Sequence, residues 1–101
     1  MAYNGYANHE TWSFYHFLMN DEDDYEKCIE LVKESVDIFM LRDKLNAWAL
    51  DMADDALNSY EYTHAFIKDA VNATLSKVEF YEVAETLMED MKELKEEKND
   101  F

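Results

Sequence analysis

Five glutamates near the end of the chain, Glu82, Glu85, Glu89, Glu93 and Glu96, recur every three or four residues. At 3.6 residues per turn this spacing gathers them on one helical face, almost opposite Val83, Leu87, Met91 and Leu94. Asp90 and Glu97 flank the row. Carboxylates on successive turns stand about 5–6 Å apart. Phosphates along one DNA strand are spaced on a similar scale, at about 3.4 Å of axial rise each. A row of carboxylates on a rigid helix can therefore enter a protein site that grips phosphates with Lys and Arg. Like charges at this spacing destabilise a helix by about 0.2–0.5 kcal/mol per pair, or roughly 1–2 kcal/mol over four pairs. Lys92, Lys95 and Lys98 offset part of that cost. The plain alternative is a solvated outer face.

Acids elsewhere extend the pattern. Asp21-Glu22-Asp23-Asp24 is an unbroken run, Glu26 and Glu30 follow Glu22 at intervals of four, and Asp51, Asp54 and Asp55 form a third group. The whole chain carries 24 acids against nine bases, a net charge of −15. About 2–8 charges suffice for the solubility of a small domain. Such a surface repels nucleic acid and anionic lipid and attracts basic partners. Halophilic adaptation accounts for it less well, since the chain keeps eight Lys and 15% aromatic residues.

Catalytic and metal chemistry finds little footing. The run Asp21 to Asp24 lacks the alternating ligands and the glycine of a calcium loop. Glu61-x-x-His64 has the spacing of half a di-iron site, without a second Glu-x-x-His. His9, His16 and His64 are too scattered for a zinc set, and Cys28 falls on an apolar helical face, where it packs rather than reacts. There is no Gly-rich phosphate loop, no Gly-x-Ser-x-Gly and no basic patch. The expectation is a protein without enzymatic activity, metal or cofactor.

The elements that would hold these surfaces are helical. A chain of 101 residues with 49% hydrophobic content is expected to form one acidic domain over residues 1–101. It contains no Pro and a single Gly, Gly5, which favours long helices over a turn-rich β fold. The fold class expected is all-α, a compact bundle of four to five helices around a central helix near residues 38–57. Ile38, Leu41, Leu45, Trp48 and Met52 line one face of that helix. Phe39, Leu50, Ala53 and Leu57 line another, so neighbours are expected on both sides.

Helix one is placed at about 9–19, capped by Asn8 and striped by Trp12, Tyr15, Leu18 and Met19, with Phe14 and Phe17 widening the stripe. Helix two, at about 22–35, turns Tyr25, Cys28, Ile29 and Val32 inward. Ser35 or Asp37 caps the central helix, although nothing at that joint forbids a continuous one. Thr63 caps helix four, at about 64–77, whose stripe is Phe66/Ile67, Ala70/Val71, Thr74/Leu75 and Val78. Glu79 caps helix five, at about 80–97, with Phe80, Val83, Ala84, Leu87, Met91 and Leu94 as its core face. The single cysteine excludes an internal disulfide. No signal peptide or apolar span is evident, so a cytoplasmic location is expected.

Two stretches carry a resemblance. Tyr3-Asn4-Gly5-Tyr6 followed by Asn8-His9-Glu10-Thr11-Trp12 resembles the opening of a family of small phage- and plasmid-encoded proteins. Those proteins begin with an aromatic-Asn-Gly-aromatic stretch and then Asn-Tyr-Glu-Thr-Trp. The resemblance returns at Asn72 to Val78 and at Phe80 to Glu85, and covers about a third of the chain. His9 stands where the family has Tyr, and the middle of the chain does not match. The resemblance implies origin in a mobile element and brings no activity with it. Read as structure, Asn8 caps a helix, Trp12 anchors the core and Gly5 allows a tight turn.

Surface and resemblance together lead to one expectation. It is an acidic inhibitor that mimics DNA and blocks a host defence complex, a CRISPR effector or a restriction enzyme, inside an infected or plasmid-bearing bacterium. Its partner would be a basic DNA-binding protein, with no direct contact to nucleic acid or membrane. The alternative is a non-catalytic adaptor, or a homodimer, that binds through apolar surface on helix one.

Overall fold

Leu41, Leu45 and Ala49 lie one turn apart on a single helical stripe and are all buried. In the computed structural model, which describes residues 5–58 and 65–92, this stripe is the axis of the fold. Five α-helices and no β-strand form the described residues: α1 (His9–Asn20), α2 (Glu22–Glu34), α3 (Ile38–Asn58), α4 (Ala65–Ser76) and α5 (Phe80–Asp90). The architecture is an all-α bundle. The central helix packs chiefly on α5 and also touches α2 and α4, while α1 bridges α2 and α5. Leu18, Cys28, Leu31, Val32, Val78, Val83, Ala84, Leu87 and Met91 complete the core.

Capping explains the boundaries. The Asn8 side chain accepts a hydrogen bond from the Thr11 amide at 2.8 Å, and Asp21 accepts from the Asp24 amide at 2.9 Å. Asp37 accepts from the Met40 amide at 2.8 Å and caps α3. Ser35 instead ends α2: its buried hydroxyl donates to the Leu31 carbonyl at 2.7 Å. The joint at 35–37 therefore separates two helices, giving five among the described residues. Glu79 precedes α5 but makes no side-chain capping bond. The Glu79 amide itself is held by Thr11, as described below.

Several inward assignments differ from expectation. The second face of α3 is covered only in part: Ala53 and Leu57 are half-buried against α4, whereas Phe39 and Leu50 are exposed, with Phe39 partly shielded by the Tyr81 ring and the Arg42 guanidinium. So small a bundle has too few helices to cover both faces of its axis. On α2 the buried set is Cys28, Leu31 and Val32, and Tyr25 lies outside it. The wheel centre passes between Leu31 and Val32, which turns Asp24 inward and Tyr25 to the edge. No residue of α4 is buried, so the expected stripe of that helix faces outward except at half-buried Val71 and Leu75, and only Val78 beyond its end reaches the core. Helix α5 is interrupted after Asp90: Met91 is anchored in the core while its backbone leaves helical geometry at φ −107 and ψ 14, and Lys92 is helical again. The Thr63 cap, Leu94 and the end of the fifth helix as expected lie outside the described residues.

Candidate binding surfaces

The acidic row on α5 is only partly available. Glu85 and Glu89 are exposed, one turn apart, and no cation among the described residues pairs with them. Glu82 is half-buried, and its Oε1 accepts the Ala7 amide at 2.7 Å. Asp90 is exposed but accepts a hydrogen bond from the Tyr15 hydroxyl. Burial, reinforced by that bond and the Asp90 charge, pushes the Tyr15 phenol above its ordinary range. Glu82 and Asp90 thus fasten the α5 row to the N-terminal segment. Glu93 and Glu96 lie outside the described residues.

The α2 acids divide in the same way. Glu22, Asp23, Glu26 and Glu30 are exposed. Glu30 pairs with Lys27 at 3.9 Å, and Asp21 spends one oxygen on its cap. Asp24 is half-buried, and desolvation, with Asp21 and Asp23 adding to it, raises its carboxyl above the usual range. It is therefore a poorer member of an acidic surface than its neighbours. On α3, Asp51, Asp54 and Asp55 are exposed. Asp51 and Asp54 line a cleft of about 320 Å³ whose opposite wall, on α4, carries Lys68. Since α2 and α5 pack against each other, their acids belong to adjoining helices, whereas Asp51 and Asp54 share their cleft with a cation.

A hydrogen-bonded joint between distant positions ties both motif-bearing stretches together. The buried Thr11 hydroxyl donates to Asn8 Oδ1 at 2.6 Å and accepts the Glu79 amide at 2.9 Å. Asn8 Nδ2 donates to the Lys77 carbonyl at 2.7 Å. With Ala7 on Glu82, residues 7–11 close over the α4–α5 joint. Gly5, at φ +90, turns the chain into this segment. A Thr on the first turn beside an Asn cap was the available signal. Trp12, in contrast, is not a core anchor: its half-buried ring lies between His9 and His16, stacked on His16 at 4.9 Å.

Helix one spends most of its apolar residues internally. Phe14 meets Phe80 edge-on at 5.4 Å, Leu18 is buried, and of the widened stripe Phe17 alone is exposed, at 67%. Phe14, Phe17, Leu18, Met52, Leu75 and Val78 line a cavity of about 580 Å³ between α1, α3 and α4. Glu10 also borders it, and its Oε2 is buried without a hydrogen-bond partner. Cys28 is fully buried and its thiol is pushed up to about 12, chiefly by burial and next by the Asp24 charge. Among the described residues no group of His, Cys, Asp and Glu is arranged to hold a metal ion, and no helix is long and apolar enough to cross a membrane. No family model matches the sequence, and no curated protein or solved structure is significantly similar to it.

Proposed function

We propose that this chain is a non-catalytic inhibitor encoded by a phage or plasmid. It takes the place of DNA in the Lys/Arg-rich channel of a host defence complex, a CRISPR effector or a restriction enzyme, in the bacterial cytoplasm. The observation that supports this reading is the pair of adjoining acidic helices. Glu85 and Glu89 on α5, with Glu22, Asp23 and Glu26 on α2, are exposed and stand on helices pinned to one core. The net charge of −15 supplies long-range attraction to a basic channel. Rigid placement matters because a carboxylate already in position loses little side-chain and backbone freedom on binding.

The test is capture from bacterial lysate with the purified protein, washed at rising salt and identified by mass spectrometry. DNA-handling enzymes that elute as salt rises, and that duplex DNA displaces, support the reading. Glu85→Lys with Glu89→Lys should abolish their capture without loss of helicity. Glu82 is left intact because it holds the Ala7 amide. A partner that resists high salt and has no nucleic-acid site would refute the proposal and favour an apolar interface.

A further inference from the structure

The start of α5 joins the acidic row to an apolar patch. Tyr81 stands one turn before Glu85, on the same side of the helix. Its ring lies 5.7 Å from that of Phe39 on α3, tilted at 45°. Phe39 is 54% exposed and Tyr81 40%, and Val36 and Met40, within three positions of Phe39, are exposed as well. Arg42 lies over the Phe39 ring at 5.4 Å, and its charge is matched by Asp43 at 3.0 Å. The two rings are thus held in place from within the chain and still keep much of their surface open. These positions and the chain on either side of each lie within the described residues.

Rings beside carboxylates fit one kind of nucleic-acid site and not another. In a duplex the base faces are stacked inside, so a channel that grips duplex DNA meets phosphates and base edges. Exposed rings have no counterpart there, and they would take polar groups of the channel out of water without a partner. A groove for a single strand combines basic side chains along the backbone with aromatic side chains on which bases stack. Such stacking tolerates the ring that arrives, since it needs only a π face. Phe39 and Tyr81 supply π faces. Glu85 and Glu89, on successive turns about 5–6 Å apart and unpaired among the described residues, supply the charge. A basic groove with an aromatic platform therefore finds both its complements on one surface.

We infer that the surface formed by Phe39, Tyr81, Glu85 and Glu89 occupies a groove for single-stranded nucleic acid on the basic partner. The two rings take the places of stacked bases, and the two carboxylates those of phosphates. The inference rests on the proposed function and narrows it, from any DNA-binding channel to one that holds an unpaired strand.

Competitive release tests it. The full chain is immobilised, the protein it captures and loses at high salt is identified by mass, and release of that protein at low salt is titrated with oligothymidine or with a blunt duplex of equal phosphate content. The single strand should release it at about a tenth of the concentration that the duplex needs. Phe39→Ala with Tyr81→Ala should weaken retention by about tenfold or more and leave its salt dependence as in the unaltered chain. Tyr81→Phe keeps the ring and should retain binding. Both side chains are exposed, and circular dichroism should show unchanged helicity. Release by duplex at the same concentration as by single strand, or retention indifferent to the loss of both rings, would overturn the inference and leave capture by charge standing. Absence of any DNA-handling protein released by salt would instead refute the proposed function, and this inference with it.

Discussion

Replacing Thr11 with Val keeps the shape of the side chain and deletes its hydroxyl. That hydroxyl accepts the Glu79 amide at 2.9 Å and donates to Asn8 Oδ1 at 2.6 Å, within a fully buried residue. Asn8 Oδ1 retains the Thr11 amide, so it is not stranded. The Glu79 amide loses its Thr11 acceptor at a part-buried position on an otherwise exposed residue. Each lost hydrogen bond costs about 0.5–1.5 kcal/mol, about 1–3 kcal/mol for the two. That is a sizeable part of the roughly 5–15 kcal/mol by which a domain is stable. At about 4–8 °C per kcal/mol, Tm should fall by roughly 4–24 °C. Urea unfolding followed by circular dichroism measures the loss directly. Thr11→Ser keeps both bonds and gives up one methyl, for about 1 kcal/mol. A Thr11→Val protein within about 0.5 kcal/mol of wild type, or a Thr11→Ser protein equally damaged, would refute a role for this hydroxyl in joining α1 to α5.

Two further predictions concern caps and pH. Asp21→Ala should cost about 1 kcal/mol in urea unfolding, whereas Glu79→Ala should be close to neutral, since the first side chain caps a helix and the second does not. Cys28 has an ordinary value of 9.0 and is raised to about 12 in the folded chain, so the folded state holds a proton that the unfolded state releases. Stability is then intact below about pH 9 and falls by about 1.4 kcal/mol per pH unit as pH climbs toward the folded value. Tyr15, raised in the same direction, adds to the slope above its own ordinary value of 10.0. Cys28→Ala should be less stable at neutral pH but show a flatter alkaline decline in the same assay.

The helices were legible in the sequence because they rest on local chemistry. Asn8, Asp21 and Asp37 cap as their types suggest, and the absence of Pro leaves little to interrupt the periods between them. Periodicity names an apolar face without saying whether anything covers it. Ile67 and Leu50 read as core in the sequence and are exposed in the structure, because covering is a property of neighbours. The acidic surface was legible as charge and less so as a site. Glu82, Asp24 and Asp90 are carboxylates like Glu85 and Glu89, yet each has a distant structural engagement or partial burial that spacing does not encode. Thr11 was missed for the same reason, since its partner lies 68 positions away.

That separation has a bearing on how the chain is made. Four hydrogen bonds join residues 68 to 75 positions apart: Ala7 with Glu82, Asn8 with Lys77, Thr11 with Glu79 and Tyr15 with Asp90. The first helix emerges from the ribosome early and waits for its partners. At about 5–20 residues per second, that wait is roughly 4–15 s, far longer than a helix takes to form. The α1–α2 hairpin can assemble in the interval, but Thr11 stays without its Glu79 partner until the start of α5 is translated. Slow codons upstream of residue 79 would prolong the exposure. The nascent chain is most open to misassociation and proteolysis until α5 arrives.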